Sequence, residues 1–504
     1  MVRDAEPARR GARPTGPAGG GRRSAAAAGS RSDEGRRRQS CQWCGGGPTV
    51  QVVPRSESGA ANRCAMTLPL RAAAGRVAPG ARHFSVTAQQ RASKAYKLVV
   101  VGGGSGGCSV AAKFTRKLGK GQVAVIEPAE KHYYQPMWTM VGGGMKTVEQ
   151  SARPMKDVLP AQADWIRERA VAFDPKSNKV TTSSGDEVTY EYLVVAMGIQ
   201  INWDAIKGLK EALDTPGVCS NYSPKYAPKT FEELKAFREG NAIFTFPNTP
   251  IKCPGAPQKI LYIADQYLRK AGKRDKATLI YNTSLPVLFG VKKYAESLWK
   301  VVEDRGIVVN NRRCLTEVRP DTREAVFVDL DRPEHQFIDK YELLHVTPNM
   351  SAPDVLKACP ALTDAAGYVD VDKHTLQHNR YPNVFAIGDC SSVPTSKTAA
   401  AVAAECGVLG KNLWSVMSGG QCTASYDGYT SCPLVTGYSK CILAEFKFDG
   451  VPLETFPIDQ GKERWAPFVM KKELMPFLYW QLMLKGYWNG PKVIRKALHL
   501  GMSD

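Results

Sequence analysis

The sequence contains no long uninterrupted apolar run. A membrane-spanning helix needs about 18 or more consecutive apolar residues, and no part of the 504-residue chain offers such a stretch. We therefore expect a chain that does not cross a membrane, although it can lie on one. The composition, 43% hydrophobic and 23% charged, is that of ordinary globular proteins and excludes collagen, coiled-coil and acidic disordered classes. At this length we expect two or three domains.

Acidic residues are scarce at the N-terminal end. Residues 1–95 hold 17 Lys and Arg against 5 Asp and Glu, and no acidic residue occurs from Met66 until Glu127. Basic, serine-containing, acid-poor sequence is typical of a mitochondrial transit peptide. We predict that residues 1–95 form a targeting leader that is disordered or removed, with Met66 as an alternative start to Met1. Because most of the net charge of +20 falls in this leader, we predict no nucleic-acid partner.

The cysteines lack the regular spacing of a disulfide framework. The chain has 13 of them at irregular intervals, which argues against a small secreted scaffold. In a mitochondrial protein we expect most of them to be reduced and buried, so that a bond between two of them would be catalytic. We predict no metal site.

A dinucleotide-binding fingerprint follows the leader. A strand at Tyr96–Val101 is followed by a G-x-G-x-x-G turn from Gly102 to Gly107 and by a helix over 105–118. A second strand, Val123–Ile126, ends at the acid Glu127. Glycines in this frame permit a tight turn and let the backbone approach a pyrophosphate at the helix N-terminus. The acid after the second strand is placed to accept a hydrogen bond from a ribose hydroxyl.

Two later segments favour FAD over NAD. Tyr192–Gly198 and Val384–Asp389 each read as an apolar strand that ends in a small-residue turn. Both resemble recurring elements of the two-dinucleotide-domain flavoprotein reductases, in which the Gly-Asp aspartate binds the ribityl chain of FAD. Met197 replaces the usual Thr of the first element. An alanine-rich helix after Thr395 would turn its positive N-terminal end toward the flavin.

The second dinucleotide domain lacks the glycine loop that a nicotinamide cofactor needs. After the strand 241–246, the turn PNTPIKCPGAP contains four prolines and one glycine. Proline has no N–H to offer a phosphate, so we predict that NAD(P)H does not bind there in the usual way. The turn presents Cys253 toward the expected flavin position, and Cys432 lies in another turn-rich segment. Lys252, beside Cys253, is a candidate to stabilise a sulfur anion, although a solvated surface lysine is equally expected.

Six segments resemble the mitochondrial sulfide:quinone oxidoreductases, a family within those reductases. The resemblance covers the chain from about Tyr96 onward and rests on VVVGGGSGG, EPAEKHYYQPMWTMVGGG, FPNTPIKCPGAPQK, AIGDCSSVPTSKTAAA, YDGYTSCPLVTGY and LMPFLYWQLMLKGYW. It implies that Cys253 and Cys432 are the redox-active catalytic pair. It also implies an FAD site formed by Gly102, Gly104, Ser105, Gly106, Gly107, Glu127, Gln135, Ala170, Asp389, Lys397, Thr398, Ala399 and Ala400. The partners implied are hydrogen sulfide as substrate, ubiquinone as electron acceptor, and glutathione or sulfite as sulfur acceptor.

The C-terminal sequence predicts contact with a membrane surface. Leu474–Leu484 is apolar on nearly every face but is only about half of a spanning length. Lys492–Met502 reads as an amphipathic helix with a basic polar face, which suits the headgroup layer of an anionic membrane. A dimer interface or a helix that closes the core is the alternative. We predict peripheral attachment to the matrix side of the inner mitochondrial membrane, with Phe446, Phe477 and Tyr479 as candidate quinone contacts.

Together these features predict an α/β fold with two Rossmann-like dinucleotide-binding domains, the FAD domain discontinuous, and a C-terminal membrane-associating region. We expect the leader at 1–95 and the first part of the FAD domain at 96–220. The second domain, without a nicotinamide loop, follows at 221–345, the second part of the FAD domain at 346–420, and the C-terminal redox-cysteine and quinone region at 421–504.

Two other functions remain open from the sequence. A type II NADH:quinone dehydrogenase shares the expected fold and membrane platform, but it would need a glycine loop where the prolines stand. A non-enzymatic flavin-binding signalling protein would bind FAD without oxidising sulfide, and it would have no need of a cysteine in a reshaped cofactor loop.

Overall fold

The computed structural model describes residues 93–502 of the chain. The strands are β1 Ser93–Val101, β2 Val123–Ile126, β3 Lys131–Tyr133, β4 Ala152–Pro154, β5 Asp164–Ile166, β6 Ala170–Asp174, β7 Lys179–Thr182, β8 Glu187–Val195, β9 Gln200–Asn202, β10 Val218–Cys219, β11 Gly240–Phe246, β12 Ala277–Thr283, β13 Val308–Asn311, β14 Arg313–Arg319, β15 Glu324–Asp329, β16 Gln336–Lys340, β17 Leu343–His345, β18 Asn349–Ser351, β19 Val384–Ala386, β20 Thr430–Val435 and β21 Cys441–Phe446. The α-helices are α1 Ser105–Leu118, α2 Trp138–Gly142, α3 Met155–Val158, α4 Leu209–Ala212, α5 Ala227–Ala236, α6 Ala256–Lys270, α7 Lys292–Asp304, α8 Asp354–Lys357, α9 Ala399–Met417, α10 Trp465–Val469, α11 Met475–Leu478 and α12 Lys492–Leu498.

The first sheet takes strands from both parts of the predicted FAD domain, although β9 and β10 of the first part belong to other sheets. Its strand order is β5-β2-β1-β8-β7-β6, and β19 pairs with β8 in parallel register. The central strands are parallel and buried on both faces, because helices cover them. Since β19 comes from far along the chain, this sheet is discontinuous in sequence.

The second sheet is fully parallel, with the order β10-β17-β11-β12-β13. Helix α6 follows β11 and buries most of its length in the core of this domain. Strands β14, β15 and β16 form a separate antiparallel meander, which falls between β13 and β17 in the sequence. The mixed α/β architecture with parallel sheets agrees with the predicted fold class.

The predicted leader falls almost entirely outside the described residues. The first strand begins at Ser93 and not at Tyr96, because residues 93–95 pair with residues 187–189 of β8. The predicted helix over 105–118 and strand Val123–Ile126 coincide with α1 and β2.

The C-terminal segment is helical but irregular. Residues 465–483 alternate between short α-helical pieces and two π-helical turns, Met470–Leu474 and Tyr479–Met483. The predicted helix Lys492–Met502 ends at Leu498, four residues early, and Leu500 has a positive φ of 53°. Within residues 93–502 no helix has the length and apolarity needed to cross a bilayer.

Candidate active site

The turn after β1 has the backbone geometry of a phosphate-binding loop. Gly102 has a φ of 106°, and a Cβ there would lie 2.4 Å from the carbonyl oxygen of Ala196. A Cβ on Gly107 would lie 1.7 Å from the carbonyl oxygen of Gly102. Glycine is therefore required at both positions, by backbone conformation at the first and by close packing at the second. The loop from Gly102 to Gly107, which includes Gly104, Ser105 and Gly106, leads directly into α1. A loop at a helix N-terminus with this geometry fits the pyrophosphate of a dinucleotide.

Glu127 lies against this loop at the end of β2. Its carboxylate accepts hydrogen bonds from the amides of Gly103, at 2.7 Å, and Ala129, at 2.7 Å. Both oxygens are thus oriented by backbone donors, and the side chain is held at the loop where a ribose would lie. Ala170 begins β6 at the other edge of the same sheet and pairs with Thr182.

The second predicted part of the FAD site is a buried pocket behind β19. It is lined by residues that include Asp389, Lys397, Thr398 and Glu405. Burial raises the pKa of Asp389, and the Lys397 ammonium nearby opposes that effect. Glu405 was not predicted: its Oε2 accepts a hydrogen bond from the amide of Gly388 at 2.8 Å, and burial raises its pKa to about 7. Nothing in the local sequence of α9 marks this acid, because only the fold turns it toward the Gly-Asp turn.

Helix α9 begins at this pocket, as its sequence predicts. Thr398 caps the helix, and its Oγ1 accepts a hydrogen bond from the amide of Ala401 at 3.1 Å. The first-turn residues Ala399 and Ala400 place the positive end of a 19-residue helix beside Asp389. The same Thr398 hydroxyl lies 2.8 Å from that of Thr430, which begins the strand that carries Cys432.

Cys253 occupies a strained position in the proline-rich turn after β11. Its φ is 53°, which is uncommon for a residue other than glycine. Its amide donates a hydrogen bond to the carbonyl of Lys397 at 2.8 Å, and its carbonyl accepts one from the amide of Ala256 at 2.8 Å. These bonds attach the turn to the pocket of Asp389 and Lys397 on one side and to α6 on the other.

Cys432 reaches the same place from β20, where it is buried opposite Ala444. A Cβ on Gly255 would lie 2.4 Å from its sulfur, so the turn that carries Cys253 closes directly over Cys432. The Cys432 thiol donates a hydrogen bond to the Cys253 sulfur, and this contact is the main reason that the pKa of Cys253 is well below its usual value. The pKa of Cys432 is raised by the same contact and by burial.

Two buried lysines that were not predicted face this cysteine pair. The Nζ of Lys259, on the first turns of α6, donates a hydrogen bond to the Cys253 sulfur at 3.2 Å. Lys471, in the first π-helical turn, is buried, and burial lowers its pKa to about 8. The only sequence signal for Lys259 is that a lysine stands among the apolar residues of α6. No sequence signal marks Lys471.

Lys252 does not face the sulfur, although it adjoins Cys253 in sequence. Its Nζ donates a hydrogen bond to Oε1 of Gln135 at 2.7 Å. This bond places Gln135, a predicted FAD residue, against the cysteine turn.

One other cysteine adjoins a predicted flavin residue in the sequence. Cys390, directly after Asp389, is buried, and its Sγ donates to the carbonyls of Val195 and Ile387. Burial also raises its pKa to about 11, so it is an unreactive thiol.

Comparison with known proteins assigns this arrangement to a family. Residues 96–231 match the family described as pyridine nucleotide-disulphide oxidoreductase. The chain is 53% identical to the mitochondrial sulfide:quinone oxidoreductase of Mus musculus over 408 residues, which make up 81% of this chain and 90% of the mouse protein. The chain belongs to the sulfide:quinone oxidoreductase family. This assignment confirms the predicted resemblance and makes the chain an FAD-dependent oxidoreductase.

Other relatives agree with this assignment. Identity to the mitochondrial sulfide:quinone oxidoreductase of Dictyostelium discoideum is 47%, over 79% of this chain and 88% of that protein. The fold matches the crystal structure of the sulfide:quinone oxidoreductase from Aquifex aeolicus with a TM-score of 0.68, over 81% of this chain and 95% of that one, at 21% identity.

Proposed function

We propose that the chain oxidises hydrogen sulfide in mitochondria and delivers two electrons to ubiquinone. The observation that carries this proposal is the contact of Cys253 with Cys432 beside the Lys259 ammonium. The proposal is supported by relatives whose names specify sulfide as the electron donor and quinone as the acceptor.

The cysteine pair would take up sulfur by thiol–disulfide exchange. With the two sulfurs joined, hydrosulfide attacks the Cys432 sulfur, the bond between the cysteines breaks, and the products are a Cys432 persulfide and a Cys253 thiolate. The Lys259 ammonium, which donates a hydrogen bond to the Cys253 sulfur at 3.2 Å, stabilises the thiolate that leaves and so makes Cys253 the better leaving group. A thiolate such as glutathione, or sulfite, then attacks the outer sulfur and releases Cys432 as a thiolate. Rejoining the two cysteines requires the removal of two electrons.

FAD, when bound, supplies the two-electron acceptor for that last step. The chain's own contribution is position and charge: Lys259 and Lys471 stabilise the sulfur anions, and the turn holds Cys253 next to the pocket of Asp389 and Lys397. Cofactor positioning of this kind is what proteins add to flavin chemistry.

A nicotinamide dinucleotide is an unsuitable electron donor for this chain. The turn after β11, where such a cofactor would need free amides, instead bonds Cys253 to Lys397 and Ala256. Gly255, its one glycine, packs against the Cys432 sulfur. These contacts favour sulfide over the type II NADH dehydrogenase alternative.

The decisive experiment is anaerobic reduction of the protein-bound flavin, followed by its absorbance. We expect rapid bleaching by sulfide and none by NADH. Bleaching by NADH alone would support the dehydrogenase alternative. A flavin that neither donor reduces would support a signalling protein.

The C-terminal segment has the surface expected of a membrane-bound enzyme. Its most exposed apolar side chains are Trp465, Phe477, Tyr487, Val493, Leu500 and Met502, all at least 58% exposed. Lys485, Lys492 and Lys496 are exposed among them. An exposed apolar surface with basic neighbours suits an anionic bilayer, and we propose the matrix side of the inner mitochondrial membrane.

Replacing Val493 and Leu500 together by glutamate tests this surface. Because each side chain is at least 80% exposed, the change leaves the folded core intact. We expect binding to anionic vesicles to fall by at least about tenfold, since two apolar groups no longer enter the bilayer. Sedimentation with cardiolipin-containing vesicles measures this. Ile338→Glu, at an exposed apolar position on β16, is the control that should bind normally. Equal binding of the double variant and the unaltered protein would exclude this surface.

A further inference from the structure

The C-terminal segment packs directly on the helix that follows the glycine loop. The Oγ of Ser109 is within hydrogen-bond distance of the carbonyl of Met483, at 2.8 Å, and of the carbonyl of Ser105, at 2.7 Å. Arg116 donates another to the carbonyl of Lys485 at 2.8 Å, and its guanidinium lies over the ring of Tyr487. Both donors belong to α1, so the segment that exposes the apolar surface also forms one wall of the FAD domain.

A chain of hydrogen bonds runs from this segment into the loop itself. The hydroxyl of Tyr479 lies 2.9 Å from Oγ of Ser105 and 2.6 Å from Nε2 of His132. Nδ1 of His132 lies 3.0 Å from the carbonyl oxygen of Gly103. The rings of Tyr479 and His132 are only 3% and 4% exposed. Water therefore competes little for these bonds.

The direction of every bond in the chain follows from the Gly103 carbonyl. A carbonyl only accepts, so His132 must carry its proton on Nδ1. Burial lowers the pKa of His132 to about 4, which leaves the ring neutral and makes Nε2 an acceptor. The single proton of Tyr479 must then go to Nε2 of His132. The remaining bond has to be donated by the hydroxyl of Ser105 to the Tyr479 oxygen.

These directions constrain the peptide that joins Gly103 to Gly104. In a trans peptide the N–H points opposite to the C=O. Holding the Gly103 carbonyl on the His132 side therefore turns the Gly104 amide the other way. The Ser105 hydroxyl proton is meanwhile committed to Tyr479 and is not available to a phosphate.

We propose that Tyr479 is a positioning residue that, through His132, fixes the glycine loop in the arrangement that binds FAD. The Ser105 hydroxyl then serves the Tyr479 contact, and Ser105 binds the cofactor through its backbone alone. This role makes retention of FAD depend on the C-terminal segment. It rests on FAD binding and not on the sulfide chemistry proposed above, so either can fail without the other.

The test is the rate at which the full-length holoenzyme releases FAD after dilution, followed by the rise in flavin fluorescence. Tyr479→Phe keeps the ring but leaves the buried Nε2 of His132 without a donor. The free loop can rearrange to relieve this loss, whereas the FAD-bound loop cannot. We expect release to be about tenfold faster, the scale of one buried hydrogen bond. Tyr487→Phe, in the same segment but 61% exposed, should release FAD at the normal rate.

Ser105→Ala separates this role from direct phosphate binding. Because the serine proton goes to Tyr479 and the Tyr479–His132 bond survives, we expect release to change by less than about threefold. Unchanged release from Tyr479→Phe would overturn the proposal, as would faster release from Ser105→Ala than from Tyr479→Phe. Should Tyr479→Phe fail to fold, the serine variant decides alone: release within threefold supports the proposal and a larger increase overturns it.

Discussion

Replacing either Cys253 or Cys432 by serine is expected to slow reduction of the flavin by sulfide at least about a thousandfold. A serine hydroxyl cannot form the bridged pair that hydrosulfide attacks, so loss of either sulfur removes the reaction and not merely its efficiency. Because the two residues act as one unit, the double variant should be no slower than either single variant. Stopped-flow absorbance under anaerobic conditions measures the effect.

The control for this experiment is Cys422→Ser. Cys422 is partly exposed and its sulfur donates to Gln377, away from the pair. Its flavin should be reduced at the normal rate, and all four variants, the double variant included, should keep their FAD. Sulfide-dependent reduction in Cys432→Ser at more than a tenth of the normal rate would contradict the exchange step, because no disulfide could then be involved.

Local sequence was sufficient to predict the elements whose geometry is set by short-range rules. The glycine loop is the clearest case: Gly102 requires a positive φ and Gly107 allows close packing, and both constraints act within six residues of the chain. The prediction that the second domain lacks a nicotinamide loop is equally local, because proline removes the amide wherever it stands. The alanine-rich helix predicted after Thr395 is also present, and it begins at Ala399 behind the capping residue Thr398.

The polar contacts of the site were beyond that reasoning because they join distant parts of the chain. Lys252 adjoins Cys253 in sequence, yet Lys259 makes the contact, since α6 turns its apolar face and that lysine toward the sulfur. Lys471 and Tyr479 reach the cysteines and the glycine loop from π-helical turns, which no periodic pattern indicates. Tyr479, a candidate for quinone contact from sequence, is buried and lies within hydrogen-bond distance of Ser105, a contact that the sequence did not indicate.

The C-terminal helix shows another limit of prediction from sequence, which concerns the position of a helix end. The pattern of residues 492–502 predicts a helix, and α12 begins at Lys492 as predicted but ends at Leu498, where the chain approaches the positive φ of Leu500. The end of a helix depends on backbone conformation and not on the alternation of apolar residues, so the pattern could not give it.

Lys259→Met is expected to lower the rate of flavin reduction by sulfide roughly a hundredfold, the scale of removing one buried donor from a developing anion. The methionine keeps most of the volume and the apolar stem of the lysine, so packing on α6 changes little. What is lost is the ammonium that donates to the Cys253 sulfur at 3.2 Å. The Cys253 thiolate becomes a poorer leaving group because its charge has lost its nearest stabilising partner.

The same substitution should be visible in the pH dependence of Cys253 itself. In the reduced protein the pKa of Cys253 lies well below its usual value, through the Cys432 hydrogen bond and the Lys259 charge. Removing a positive charge disfavours the thiolate, so the pKa must rise. We expect the pH midpoint of iodoacetamide labelling at Cys253 to move upward by about one pH unit.

Lys270→Met is the matched control, since Lys270 lies on the same helix with its ammonium over the ring of Tyr438. It should leave both the rate and the labelling midpoint unchanged. A normal midpoint in Lys259→Met would mean that Lys471 and the Cys432 thiol alone hold the Cys253 anion. If the rate fell while the midpoint stayed normal, Lys259 would act on the incoming hydrosulfide and not on the leaving thiolate. Loss of the Lys259 charge should therefore change the rate and the midpoint together, because both report the stability of the same sulfur anion.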